Sequence, residues 1–233
     1  MGKNKLAKFV EMATFPNVIQ PDYRESLSKD HSLKGKWNEE FFRTEKPITV
    51  ELGCGRGEYT VGLARQFPER HFIGADIKGA RIFKGAKTAL DENMSNVAFV
   101  RTHIEMINRF FGPDEISEIW LTFPDPQEKN RRRKKRLTGS RFLMLYRHFL
   151  KPSGYVNLKT DNALLFNYTF ALVKENNFPV QAVTDNLYQS DIAGMTYHIR
   201  TYYEQMFLNE GKKIHYLKFS IPGHEEIREP EEF

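Results

Sequence analysis

The sequence predicts an α/β fold, a mostly parallel sheet with helices on both faces. Three observations predict it. Short apolar runs of strand length alternate with stretches of helical spacing along most of the chain. The first of these runs leads directly into a glycine turn, Leu52-Gly53-Cys54-Gly55-Arg56-Gly57, that opens a helix. The next run ends on an acid, Asp76.

Residues 1–40 come first and show no sustained periodicity. They predict a flexible or loosely docked arm, with Phe9, Phe15 and Trp37 as candidate anchors, ahead of one domain at 41–233. Strands are then expected at 48–52, 72–76, 97–101, 118–123 and 155–160. Helices are expected at 58–66, 79–91, 104–110, 138–150 and 164–176. In the first of these helices Val61, Leu63, Ala64 and Phe67 share helical apolar spacing. Lys151-Pro152-Ser153-Gly154 predicts a turn between the fourth helix and the fifth strand, because Pro and Gly commonly follow a helix end. Strands at 180–184 and 214–220 complete the count, with an aromatic segment at 197–207 between them. A sheet finishing in an antiparallel hairpin is typical of methyltransferases that use S-adenosylmethionine (SAM).

The glycine turn narrows the ligand. Alternating glycines let the backbone pass close beneath a bound molecule, since no Cβ intervenes. A dinucleotide turn, G-x-G-x-x-G, wants a further glycine where this chain has Glu58. A carboxylate there repels a pyrophosphate by on the order of 1 kcal/mol at contact range. SAM carries no phosphate and is cationic at sulfur and nitrogen, so an acid-flanked G-x-G-x-G suits it better. Asp76 stands where an acid accepts adenosine ribose hydroxyls, in NAD and SAM sites alike, and also where a helix N-cap would stand.

Composition bounds the rest. The chain's 233 residues suffice for one α/β domain, and 40% hydrophobic with 13% aromatic residues indicates a folded globule. A lone cysteine, Cys54, excludes an internal disulfide and reads as a buried filler of the turn. No apolar run reaches the roughly 18 residues of a membrane span, no signal-peptide pattern opens the chain, and no histidine spacing suggests a metal. A cytoplasmic protein is expected. The formal charge is +5, yet Lys129-Asn130-Arg131-Arg132-Arg133-Lys134-Lys135-Arg136 holds seven cations; without them the chain carries −2. Such a block is a local device. It lies within the domain, directly after Leu121-Thr122-Phe123-Pro124-Asp125-Pro126 at the end of the fourth strand. Ligands of open α/β sheets bind at those carboxyl ends. The prolines fix the backbone around Asp125, and the block beside it reads as a phosphate-binding surface with steep salt dependence. Asp161, ending the fifth strand, reads equally as a base-edge acceptor or as a helix N-cap. Thr201-Tyr202-Tyr203-Glu204 has capping-box spacing, and by itself favours a cap.

Together these motifs resemble the bacterial tRNA (guanine-N7)-methyltransferases, which methylate a variable-loop guanosine of tRNA using SAM. The resemblance spans residues 45–220 and rests on the glycine turn after Glu51, Gly74-Ala75-Asp76, F-P-D-P with its basic block, Thr160-Asp161, and Thr201-x-x-Glu204. It implies a Rossmann-like class I SAM-dependent methyltransferase fold with a mostly parallel seven-stranded sheet and a C-terminal antiparallel hairpin. It further implies that SAM contacts Glu51, Gly53, Gly55, Gly57, Asp76 and Thr102 or His103, with Asp125 bordering the site. It implies that Lys129, Asp161, Thr201, Tyr202, Tyr203 and Glu204 contact the substrate. Arg131, Arg132, Arg133, Lys134, Lys135 and Arg136 are the expected RNA contacts, and Asp125 the catalytic candidate. The chain departs from the pattern at Asp76, where many members carry Glu, at Gln127 and Glu128, where many carry Trp and His or Lys, and at His103. A SAM-dependent enzyme acting on rRNA or another base, and a non-catalytic RNA-binding protein on the same fold, are the competing expectations; an NAD dehydrogenase fits Glu58 and the basic block poorly. Monomer and homodimer are both compatible with the sequence.

Overall fold

The computed structural model describes residues 2–196 and 199–231. Tyr197 and His198, in the expected aromatic segment, and Met1, Glu232 and Phe233, at the two ends, lie outside them. The strands are β1 (Val18–Ile19), β2 (Ile48–Leu52), β3 (His71–Asp76), β4 (Val97–Arg101), β5 (Ile116–Thr122), β6 (Leu150–Thr160), β7 (Val180–Thr184) and β8 (His215–Phe219). The α-helices are α1 (Gly2–Met12), α2 (Tyr23–Ser28), α3 (Glu58–Gln66), α4 (Gly79–Asp91), α5 (Ser140–Arg147), α6 (Ala163–Glu175) and α7 (Tyr202–Asn209). The sheet order is β1-β4-β3-β2-β5-β6-β8-β7. All pairs are parallel except those of β8, which runs antiparallel between β6 and β7.

Every residue of β2 and β3 is buried, as expected of central parallel strands covered on both faces. One face packs α5 and α6 through Phe142, Leu143, Leu165 and Leu172; the other packs α3 and α4 through Tyr59, Val61, Ile82 and Ala86. The chain passes from β2 outward through β3 to β4, then crosses back to β5 on the other side of β2. That reversal opens a crevice beyond the carboxyl ends of β2 and β5.

Several local expectations change. The sheet has eight strands, not seven, because β1 pairs with β4 from within the expected arm (Val18↔Phe99, Ile19↔Val100). A two-residue strand is too short to show a period. Of the candidate anchors, Trp37 is fully buried in a π-helix at Trp37–Phe42, its indole N–H donating to the Phe110 carbonyl at 2.8 Å. Phe9 and Phe15 are half-buried, and Met12, not foreseen, is buried. The helix expected at 104–110 is a 3-10 helix, Ile104–Arg109. The helix expected at 138–150 is the shorter α5, and β6 already begins at Leu150. Lys151 to Gly154 therefore do not separate helix from strand; they bulge inside β6 between the pairs Ile116↔Leu150 and Glu118↔Tyr155. A proline, lacking an N–H, fits where the ladder is interrupted.

Candidate active site

The turn after β2 folds back on itself through three left-handed glycines, Gly53 (φ 80°), Gly55 (φ 54°) and Gly57 (φ 68°). Their roles differ. A Cβ on Gly57 would lie 2.6 Å from the Phe99 ring, so Gly57 is where the turn presses against β4. A Cβ on Gly55 would meet nothing within 4 Å; that residue borders an open cleft. Four of the turn's amides are already used. Gly53 and Cys54 N–H donate to the Ala75 carbonyl, Gly57 N–H to that of Cys54, and Gly55 N–H to Asp76 Oδ2 at 2.9 Å. None of these four remains for a pyrophosphate.

Acids surround the turn. Glu51, on β2, is buried and accepts from the Thr60 amide at 2.9 Å and from the hydroxyls of Thr60 and Thr122. Burial pushes its carboxyl up to about 7; the Thr122 and Thr60 hydrogen bonds pull it down, and nearby Asp76 adds to the rise. Asp76, ending β3, accepts from Lys78 N–H at 2.7 Å through Oδ1, so it braces the turn and the approach to α4. Helix α4 itself has no side-chain cap. Glu58 opens α3; burial raises its carboxyl, but the Tyr202 amide (2.7 Å) and the Lys84 ammonium (2.9 Å) outweigh it and hold it below the usual range.

The cleft beyond these strands has a volume of about 470 Å³. Its floor is Glu51, Gly53, Cys54 and Gly55; one wall is Thr122 to Pro126, with Asp161 and Asn162 following β6. Lys78 and Arg81 form the opposite wall, and Thr201, Tyr203 and Phe207 overhang it. A larger neighbouring cleft of about 670 Å³ lies between α3, α4 and residues 199–205. The smaller one holds the carboxyl ends of β2 and β5, where open α/β sheets bind their ligands.

Most expected residues converge there. Asp125 is exposed on the wall, in a bend set by left-handed Phe123 (φ 50°) and Gln127 (φ 47°), and its Oδ1 accepts from Gln127 N–H at 3.0 Å. Asp161 lines the cleft and pairs with Lys212 at 3.2 Å. It is not the N-cap of α6: Asn162 is, accepting from Leu165 N–H at 2.9 Å. Thr201 lines the cleft while its hydroxyl accepts from Glu204 N–H at 3.2 Å, one half of a capping box. Lys129 is exposed at the head of a 3-10 helix, Asn130–Lys135, in which Arg131, Arg132, Lys134 and Lys135 are exposed and Arg133 half-buried.

Two expected contacts are corrected. Arg136 does not share the exposed face of the basic block. It is 1% exposed, its guanidinium lies 4.3 Å above the Tyr168 ring, and its Nε reaches the Pro126 carbonyl at 3.3 Å. It packs the root of the F-P-D-P loop. Glu204 does not reach the cleft. It is fully buried, paired with equally buried Lys159 of β6 at 2.8 Å, and accepts the Tyr188 hydroxyl at 2.6 Å. Gly57, Asp76, Thr102, His103 and Tyr202 are likewise absent from the lining of this cleft. Thr102 is buried, and His103 is exposed at the start of the 3-10 helix after β4. Unforeseen contributors are Thr60 and Thr122, which hold Glu51, and Arg56, Lys78, Arg81 and Phe207. For Thr60 and Thr122 the readable signal was a hydroxyl at each end of the turn-bearing motifs.

A carboxylate-lined cleft at the strand reversal of a mostly parallel sheet with an inserted antiparallel strand is the arrangement of a class I methyltransferase fold. Residues 45–217 match a family model described as "Putative methyltransferase". The tRNA (guanine-N(7)-)-methyltransferase of Bacteroides fragilis (strain YCH46) is 51% identical across 99% of this chain and 91% of its own length. Those of Christiangramia forsetii (48%, covering 94% of this chain and 99% of that protein) and Clostridium novyi (36%, 82% and 88%) are also similar. Among solved structures, the 16S rRNA methyltransferase KamB superposes with a TM-score of 0.60 at 14% identity, over 79% of this chain and 92% of its own. At that identity the likeness shows the fold alone. The chain belongs to the tRNA (guanine-N(7)-)-methyltransferase family.

Proposed function

We propose that this enzyme transfers a methyl group from SAM to N7 of a variable-loop guanosine in tRNA, in the cytoplasm. The observation that carries the reading is the charge layout of the site: carboxyl groups around an open glycine turn, with an exposed cationic helix one loop away. SAM supplies a methyl group made electrophilic by its sulfonium. The residues present fit it, since the cleft offers acceptors and an open Gly55 face, and four amides of the turn are spent. Gly53 and Gly55 let the cofactor approach the protein backbone closely, and Asp76, just behind the lining residues Gly55 and Lys78, keeps acceptor capacity for ribose hydroxyls beyond its two amide bonds.

Guanine N7 has an exposed lone pair and no proton to lose, so no general base is required. What this chain must do is align the base, exclude water and balance the positive charge that grows on the purine. Asp125 stands at the cleft wall on a proline-fixed bend, and it performs the balancing. Asp161, freed from capping duty by Asn162, accepts from the guanine edge, which discriminates against adenine. Arg131, Arg132, Lys134 and Lys135 hold backbone phosphates.

The test is methylation of unmodified tRNA with labelled SAM, followed by nucleoside mapping. Label in 7-methylguanosine of the variable loop supports the reading; label confined to another nucleoside, or to rRNA, overturns it. Asp125→Asn keeps the shape and loses the charge, so single-turnover transfer should fall by roughly 10²–10³ while tRNA affinity holds.

A further inference from the structure

The basic block follows the Thr122 to Pro126 wall of the cleft, although none of its cations lines the cleft itself. The opposite wall is also cationic. Lys78 precedes α4, and Arg81, Lys84 and Lys87 follow on that helix; all four are exposed. Residues three apart on a helix are neighbours, so the four form a continuous stripe rising about 14 Å. The stripe begins inside the reaction cleft, where Lys78 and Arg81 are wall residues. It leaves through an adjoining depression of about 650 Å³, lined by Lys8, Arg56, Arg81, Lys84, Lys87 and Tyr203 among others.

The local carboxylates cancel it only in part, Asp91 also lining that depression. Lys84 meets Glu58 at 2.9 Å and Lys87 meets Glu11 at 3.2 Å, whereas Arg56, Lys78 and Arg81 make no ion pair among the described residues. Arg56 instead lies 4.6 Å from the Tyr202 ring and 5.9 Å from that of Tyr203. Both tyrosines are exposed, Tyr202 at 56%. Exposed aromatic faces beside an arginine are what unstacked bases pack against, and cations in a row are what a phosphate backbone follows.

The two rims bracket an acidic floor. A polyanion is repelled by the cleft carboxylates Asp125 and Asp161, yet attracted on both sides of them. We infer that the α4 stripe, with Arg56 and the Tyr202–Tyr203 platform, is a second RNA-backbone surface, so that the RNA spans the cleft and only a base enters it. The inference rests on tRNA being the substrate. It assigns the larger clefts beside the reaction site to RNA and divides the labour by charge: cations hold phosphates, and carboxylates receive the base.

The test is the triple variant Lys78→Ala/Arg81→Ala/Lys87→Ala, compared with wild type for tRNA binding across a salt series. The expected result is a loss of about tenfold or more in affinity at moderate salt and a salt slope smaller by about 2–3. The tenfold loss should also appear as a raised KM for tRNA. Unfolding temperature should match wild type, which separates lost contacts from lost fold. A second variant, Arg81→Glu, should weaken tRNA binding further than Arg81→Ala. If wild type binds tRNA and these variants bind it equally, with equal slopes, the second surface is wrong and the substrate reading stands. If wild type itself fails to bind tRNA, the substrate reading falls first and the inference with it.

Discussion

Replacing Glu51 with glutamine should make the protein more stable above neutral pH while removing its cofactor binding. Burial raises the Glu51 carboxyl from 4.5 to about 7. The folded state therefore holds this proton more tightly than the unfolded chain does. The associated stability is fully present below pH 4.5 and is lost as pH rises through 7. A rise of that size corresponds to about 3 kcal/mol at pH 8. The Glu51→Gln side chain would avoid the buried charge and keep the geometry: its carbonyl accepts from Thr60, and its amide donates to the Thr122 hydroxyl. Imperfect hydrogen bonds offset part of the gain, so the net benefit should be about 1–3 kcal/mol, or roughly 2–10 °C in a chain of this size. The assay is thermal unfolding of both proteins between pH 5 and pH 8.5, without cofactor. The two should melt together at pH 5, where wild-type Glu51 is protonated, and separate through pH 7 with the variant higher. SAM titrations complete it: wild-type affinity should strengthen as pH rises through about 7, and the variant should bind weakly at every pH. A variant melting below wild type at pH 8 would refute the reasoning, because Glu51 would then be a stabilising carboxylate rather than a strained one.

Other perturbations separate structure from chemistry. Gly57→Ala should destabilise by about 1–3 kcal/mol, since its new methyl meets Phe99 at 2.6 Å in a left-handed backbone; Gly55→Ala should cost only about 1 kcal/mol in stability yet weaken SAM binding in calorimetry. Lys159→Met should cost about 3–5 kcal/mol in denaturant unfolding by stranding buried Glu204, and Lys159→Met/Glu204→Leu should recover most of it. Neutralising Arg131, Arg132, Lys134 and Lys135 should lower the salt slope of tRNA binding by about 3–4 with SAM affinity unchanged. Arg136→Ala should instead lower the melting temperature and leave that slope alone.

The central sheet was legible because β2 and β3 are buried on both faces, which forces continuous apolar runs ending in a turn that only glycines can make. Asp125 and Asp161 were legible because strand ends in a parallel sheet all point to one edge. Other features were not. Periodicity cannot show a strand as short as Val18–Ile19, whose partner lies some eighty residues away. A run of seven cations looks uniform, and only the path after Lys135 shows that Arg136 turns inward onto Tyr168. The T-x-x-E spacing correctly signals a cap at Thr201. The direction taken by Glu204 depends on Lys159, a cation in the fully buried half of β6. That lysine was the readable clue: a buried ammonium requires an acid, and Glu204 was available.

The Lys159–Glu204 pair has a consequence for descent. Neither ion tolerates the other's loss, since each singly mutated intermediate leaves a bare charge in the core. The two positions, in different elements and far apart in the chain, are therefore inherited as one character. A lineage can exchange the pair for an apolar couple only through an unstable intermediate or a simultaneous change. Relatives should keep both or have replaced both, and a chimera that takes β6 from one parent and α7 from another should fold only when the parents agree at these two sites.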